Sequence, residues 1–261
     1  MFAFLWIAVL CGIILLVYMR YEASMNRLIT HEFCVDAYPD GQEPCTFFFI
    51  SDIHRRKIHP QIVEEVLGKA RFTIIGGDLL EKGVPLGRVE ENLRLLKKIG
   101  PVFFVWGNND YEIDAEKLNG IFSASGVHSL RNTAYFLHLG GEKRIALIGV
   151  DDLTMEQENL DEALEQVQPD DFRILISHNP KMVYQLHELD HIHVMLSGHT
   201  HGGQIRLFGI SRYRSGGVRK IRNMIHLTSN GYGTTLVPLR LGAKPETHLI
   251  TIKSNRGSSG L

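Results

Sequence analysis

The chain reads as an α/β protein built of two facing mixed β-sheets flanked by helices, a four-layer αββα sandwich, preceded by an N-terminal transmembrane helix. Three observations predict this. From Thr46 onward, apolar strand-like runs alternate with amphipathic helical ones. The last third is strand-rich, so helices must cover two sheets rather than one. And Phe2 to Met19 contains no charged residue.

The elements follow in order. As a helix the 18 residues from Phe2 would span about 27 Å, close to a bilayer core. No Lys or Arg precedes the run and Tyr18-Met19-Arg20-Tyr21 is a poor cleavage site, so an uncleaved anchor over 2–19 is expected rather than a signal peptide. Arg20 and Arg27 follow the span, which places the large domain in the cytoplasm by the positive-inside rule and makes the chain a single-pass protein of the cell membrane. Residues 20–45 read as a connector with a short strand and a turn at Pro39-Asp40-Gly41. Residues 46–253 form one domain, since a chain of 261 residues with 44% apolar composition can bury one sizeable core. Helices are expected from Pro60 to Gly68, Arg88 to Ile99, Ala115 to Phe122, Leu160 to Val167 and Pro180 to Glu188. Strands are expected at Thr46–Ile50, Phe72–Ile75, Val102–Trp106, Tyr135–Leu139, Arg144–Val150, Ile174–Ile176 and His193–Leu196. Three more are expected at Gln204–Phe208, Met224–Ser229 and Thr247–Lys253. The Gly- and Ser-rich tail, 254–261, is expected to be disordered.

Composition excludes some classes. A formal net charge of −1 gives no whole-protein attraction to nucleic acid, and none is predicted as a partner. Three cysteines, Cys11, Cys34 and Cys45, are too few and too odd for a disulfide scaffold and fit a reducing compartment. A Cys34–Cys45 bridge stays open if the domain faces outward.

Chemistry concentrates just past the strands: Asp52-Ile53-His54, Gly77-Asp78, Gly107-Asn108-Asn109-Asp110, Ser177-His178-Asn179 and Gly198-His199-Thr200-His201-Gly202-Gly203. Open α/β sheets place ligand sites at those carboxyl ends. Alone, Asp52 or Asp78 would read as a loop residue or helix N-cap, and His178 as a helix-entry residue before Asn179-Pro180. Asp, Asn and His without cysteine form a hard-to-borderline set suited to two divalent metal ions of the Mn, Fe or Zn type, with Mn favoured. If Asp52-x-His54 and His199-x-His201 are extended, residues two apart point the same way and one stretch supplies two ligands. Asp78, after two glycines, is placed to bridge two cations.

In this order the motifs resemble the calcineurin-like metallophosphoesterases, over about residues 46–253. Gly198 to Gln204, Gly231-Tyr-Gly-Thr-Thr and Pro238-Leu-Arg-Leu-Gly242 are similar to their bacterial membrane-associated branch. The resemblance implies Asp52, His54 and His201 on one metal, Asn108, His178 and His199 on the other, and Asp78 between them. It implies hydrolysis of a phosphate ester, phosphodiester or pyrophosphate, by direct attack of hydroxide held on the metals. The substrate would be a phosphorylated small molecule or a lipid-linked one. Where the family usually has a catalytic histidine, this chain has Asn109, whose amide donates a hydrogen bond but transfers no proton near neutrality. Asn109 and Asp110 are the catalytic candidates, Asp110 orienting Asn109 or offsetting charge. His59 is a substitute acid only by its nearness to the first motif. Asn109 also leaves room for an alternative: a catalytically weakened metal-binding scaffold that acts through a protein partner. Finally, Arg206, Arg212, Arg214, Arg219, Lys220 and Arg222 read as a solvated loop, or as a basic patch for anionic headgroups or a substrate phosphate.

Overall fold

The two expected sheets are present in the computed structural model, which describes residues 2–140 and 143–255. The first sheet holds β1 (Leu28–Val35), β2 (Cys45–Ile50), β3 (Thr73–Gly76), β4 (Val102–Val105), β5 (Val127–Ser129) and β12 (Thr247–Ser254), in the order β1-β12-β2-β3-β4-β5. The second holds β6 (Thr133–Leu137), β7 (Ile145–Gly149), β8 (Phe172–Ile176), β9 (Val194–Ser197), β10 (Gly217–Ile221) and β11 (Met224–Thr228), in the order β10-β11-β9-β8-β7-β6. Both are mixed. The inner strands β2, β3 and β4 run parallel, as do β7, β8, β9 and β11, with antiparallel pairings at β12–β2, β6–β7 and β10–β11.

The continuous apolar character of β2 follows from burial on both faces. Phe47 and Phe49 point into the layer between the sheets with Phe103, Ile174 and Leu196; Phe48 and Ile50 point outward under the helices. Those helices are α2 (Pro60–Val66), α3 (Leu86–Leu96) and α4 (Ala115–Ser125), which cover the first sheet through Ile62, Leu93 and Phe122. The second sheet is covered more thinly by α5 (Leu160–Leu164) and a 3-10 turn at Pro180–Tyr184, through Ala163 and Met182. The helix expected over Pro180–Glu188 is therefore only that turn and another at Glu188–Asp190.

Two further expectations are corrected. Gln204–Phe208 forms no strand: Ile205 makes isolated bridges to Leu241 and Gly242, and the Arg206 guanidinium donates to the carbonyls of Gly202, Gly209 and Tyr213, folding the segment into a loop. Arg206 is thus spent inside the loop and is not part of a free basic patch. At the other end, Ser254 closes β12, Asn255 donates to Asp36, and residues 256–261 of the expected tail lie outside the described residues. All three cysteines are free.

The leader is α1 (Phe2–Ser24), a helix with a mean hydropathy of 2.7 over its most apolar stretch, long and apolar enough to cross a membrane. It projects with its apolar residues exposed, buries Met19, Glu22 and Ala23 against the domain, and accepts a hydrogen bond from Arg56 at the Ser24 carbonyl. There the Arg240 N–H donates to the Met19 carbonyl at 3.1 Å, and the Gly242 N–H to Glu22 Oε1 at 2.9 Å.

Candidate metal centre

Every motif residue lies in a loop or 3-10 turn at the carboxyl edge of a strand: Asp52 and His54 after β2, Asp78 after β3, Asn108 to Asp110 after β4, His178 after β8, His199 and His201 after β9. The local backbone is unusual. Asp52, His54, Asp78, His199 and His201 all have left-handed φ, between 50° and 70°. Side chains in that region cost on the order of 1–2 kcal/mol each, so surrounding structure must hold them there. It does so through carbonyls of the next loop. Asp52 N–H donates to Gly77 O at 3.0 Å, and the N–H groups of Ile53 and His54 both reach Asp78 O. The expectation that each pair is extended is thereby corrected: His54 and His201 reach the centre because the chain coils sharply between the members of each pair. Gly77 completes the cradle at φ 87°, where an added Cβ would run into the His178 ring.

Two groups of side chains are close enough to hold a metal ion: Asp52, His54 and His201, and Asp52, Asp78 and His178, with their ligating atoms within 4.8 Å of one another. In the first group His54 Nε2 and His201 Nε2 face each other at 3.0 Å, and His201 Nε2 lies 3.3 Å from Asp52 Oδ1. Asp78 Oδ2 lies 3.6 Å from His54 Nε2 and 3.2 Å from His178 Nε2, between the two groups. Beside them Asn108 Oδ1 sits 2.9 Å from His199 Nδ1. His178 uses Nδ1 on the Gly76 carbonyl at 2.8 Å, which leaves its buried Nε2 with no hydrogen-bond partner and aimed at Asp78. A buried, unpartnered ring nitrogen opposite a carboxylate is a position that a cation satisfies.

Electrostatics agree with a clustered charge site. Burial opposes ionisation of Asp78, yet His178 and His54 outweigh it and hold the carboxyl below its usual range. Burial likewise opposes a charge on His178, and Asp78 raises the ring well above its ordinary value. His201, farther from Asp78, follows burial and falls to about 3.

Asn109 and Asp110 separate in the structure. Asn109 lines the cleft; its N–H donates to Asp78 Oδ1 at 2.9 Å and its amide donates to Glu112 at 3.0 Å. Asp110 is fully buried and accepts the N–H groups of Asp78 and Gly107 at 2.8 Å and of Leu80 at 3.2 Å, so it pins the Asp78 loop. Burial, then the nearby Asp78 charge, pushes its carboxyl to about 7. His59 is exposed and serves as N-cap of α2. Leu79 and Leu80 are core.

Sequence reasoning missed three supports. Glu81 Oε2 stands 3.1 Å from His54 Nδ1. Ser51 Oγ donates to Asp52 Oδ2 at 2.5 Å. Arg240 is wholly buried, donates to the carbonyls of His201, Asn230, Gly231, Gly233 and Ala243, and places Nη2 3.3 Å from His201 Nδ1. The signals were present: an acid three residues after Asp78, and an arginine inside Pro238-Leu-Arg-Leu-Gly242.

The centre opens into a cleft of about 440 Å³ lined by Asp78, Asn108, Asn109, His199, Tyr213 and Leu236 among others. Residues 45–203 match the calcineurin-like phosphoesterase family. The chain is 48% identical to the Bacillus subtilis protein YpbG, over 90% of each chain. It is 27% identical to the Escherichia coli phosphodiesterase YaeI, over 90% of this chain and 92% of that one. Among solved structures, a 5'-nucleotidase precursor from Thermus thermophilus shares the fold at a TM-score of 0.56 and 12% identity. That likeness covers 80% of this chain and 55% of the other.

Proposed function

Because the chain belongs to the calcineurin-like phosphoesterases, in their bacterial membrane-associated branch, we propose that it is a membrane-anchored hydrolase of phosphate esters, phosphodiesters or pyrophosphates that uses two divalent metal ions. The observation that carries this reading is Asp78 Oδ2, set between two groups of inward-facing imidazoles, one of them with an unpartnered Nε2. Asp52, His54 and His201 would hold one ion, Asn108, His178 and His199 the other, and Asp78 both; manganese suits the oxygen-and-imidazole set. When bound, such a pair supplies acidified water and neutralises charge for direct in-line displacement at phosphorus, without a phosphoenzyme.

The protein's own residues do the rest. Glu81 orients His54, Arg240 orients His201, and the Gly76 carbonyl fixes His178, so that ring nitrogens face inward before any ion arrives. Asn109 on the cleft wall offers an amide donor to a phosphoryl oxygen. Because Asn109 supplies no proton, the site favours leaving groups that depart as stable anions, such as activated esters and pyrophosphates. α1 anchors the domain, with Arg20 and Arg27 arguing for a cytoplasmic face.

Purified full-length protein supplied with Mn²⁺ should cleave a chromogenic phosphodiester, and the Asp78→Asn variant, folded as judged by circular dichroism, should not. Wild-type turnover in that variant refutes the bridging role. No turnover in the native protein or in an Asn109→His variant would leave only the scaffold.

A further inference from the structure

We propose that the loop tip 207–210 and the neighbouring tip 236–237 rest in the headgroup layer of an anionic bilayer, so that the catalytic cleft opens onto lipid-borne phosphate. This rests on the hydrolase and anchor readings above and extends them to where the substrate comes from.

The argument begins with topology. β12 runs antiparallel to β2, pairing His248 with Phe49 and Ile252 with Cys45, and β1 runs parallel to β12 from Leu28 opposite Thr247. Both β1 and β12 therefore start at the edge of the sheet where β2 ends, the edge that carries Asp52 and His54. α1 precedes β1 directly, so the anchor leaves the domain on the same side as the cleft.

The ledge beside that exit is tied to it. Arg240 N–H bonds Met19 O in the last turns of α1, and Val237 lies three residues away, at most about 10 Å of chain. Gln204, at the start of the first loop, ties it to the second, its side chain bonding Thr235 and Val237 while its carbonyl accepts from Leu241. On this ledge large apolar side chains stand in water: Phe208 is 101% exposed, Leu236 96% and Ile210 77%. Phe208 and Leu236 also sit in left-handed backbone at φ 51° and 60°, a conformation that bulky residues rarely adopt. Outward apolar tips beside a membrane exit fit insertion among lipid headgroups better than they fit solvent.

Charge points the same way. Residues 191–245 contain no Asp or Glu, and six of their Arg or Lys remain once the loop-bound Arg206 and the buried Arg240 are set aside, in a chain whose formal net charge is −1. Arg212 and Arg214 are exposed directly after the first tip and Arg20 at the exit of α1, while Arg219 and Lys220 are exposed farther along β10, which runs away from the cleft edge. That is the charge complement of an anionic leaflet. Arg212 and Tyr213 line the cleft as well, so the ledge is continuous with its mouth.

The test uses full-length protein in nanodiscs of phosphatidylcholine and phosphatidylglycerol. A Phe208→Cys variant, with Cys11 and Cys34 changed to serine, carries an environment-sensitive fluorophore; Lys98→Cys in the same background is the reference, exposed before β4 at the opposite edge. The label at 208 should shift to the blue and be quenched by lipids bearing a spin label, and the label at 98 should do neither. Equal, water-like emission from both overturns the proposal. In the same discs, hexadecyl p-nitrophenyl phosphate embedded in the bilayer is compared with bis(p-nitrophenyl) phosphate in solution. A Phe208→Ser/Ile210→Ser variant should lose about tenfold of its turnover of the embedded diester relative to the soluble one. An unchanged ratio also counts against the ledge. If neither diester is turned over by the native protein with Mn²⁺, the hydrolase reading fails, and the fluorophore alone decides the membrane contact.

Discussion

Arg240 joins the N-terminal helix α1 to the candidate metal centre: its N–H bonds Met19 O at 3.1 Å while its guanidinium lies 3.3 Å from His201 Nδ1. The guanidinium is buried, and five backbone carbonyls accept from it. Hydrogen bonds to charged groups contribute about 1.5–3 kcal/mol each when a partner is removed. Arg240→Met should therefore destabilise the domain by at least about 3 kcal/mol in urea denaturation. Arg240→Lys should recover little, because an ammonium cannot reproduce the planar fork.

Glu81 gives a gentler probe. Its carboxylate lies at 3.1 Å from His54 Nδ1 and also pairs with Arg55. Removing such an orienting partner typically weakens metal binding about 10–100-fold. Glu81→Gln should show that loss in Mn²⁺ titration calorimetry, with a melting temperature close to wild type. Unchanged affinity would mean that His54 is held by packing alone.

The strands, their two-layer arrangement and the motif loops were legible because strand periodicity and strand-end position survive in local sequence. Phe47 to Ile50 shows it: an unbroken apolar run means two buried faces, and the chemistry comes next. The left-handed turns at Asp52, His54, His199 and His201 were not legible, since Asp and His visit that region more often than most residues but still adopt it only where other structure imposes it. Carbonyls of the Gly77-Asp78 loop, 25 residues away in sequence from Asp52, impose the turns there. Gln204–Phe208 alternates like a strand, but Arg206 finds its partners within the segment's own loop. Arg240 could be placed in a motif yet not on His201, a contact across 39 residues.

Two histidines outside the centre set an acid limit on stability. Burial, aided by Arg219, lowers His226 to about 4, and burial, aided by His31, lowers His248 to about 3, against an ordinary value of 6.5. Between those limits the unfolded chain binds protons that the folded chain refuses, so stability is full above pH 6.5 and falls as the pH drops toward 4 and 3. The slope is about 1.4 kcal/mol per pH unit for each histidine within its window. Melting temperature measured from pH 7.5 to 4.5 should decline below 6.5, and His226→Gln or His248→Gln should each flatten the decline. Parallel curves for wild type and both variants would assign the acid sensitivity to other groups.

On the proposed hydrolase reading, Asn109 bears on leaving-group preference. Its amide donates to Glu112 Oε1 and accepts from Asn108 Nδ2, both at 3.0 Å, and the side chain lines the cleft. A histidine there would bring a transferable proton to the cleft wall. General-acid assistance is worth roughly 10²–10⁴-fold when fully developed. p-Nitrophenolate leaves without needing a proton, so Asn109→His should change its release less than about threefold. A diester that must expel an alkyl alcohol should gain at least about tenfold in kcat, with KM little changed, because the proton is needed only as the bond breaks. Equal gains on both substrates would show the substitution acting through metal occupancy, and no gain on either would place the acid elsewhere in the cleft.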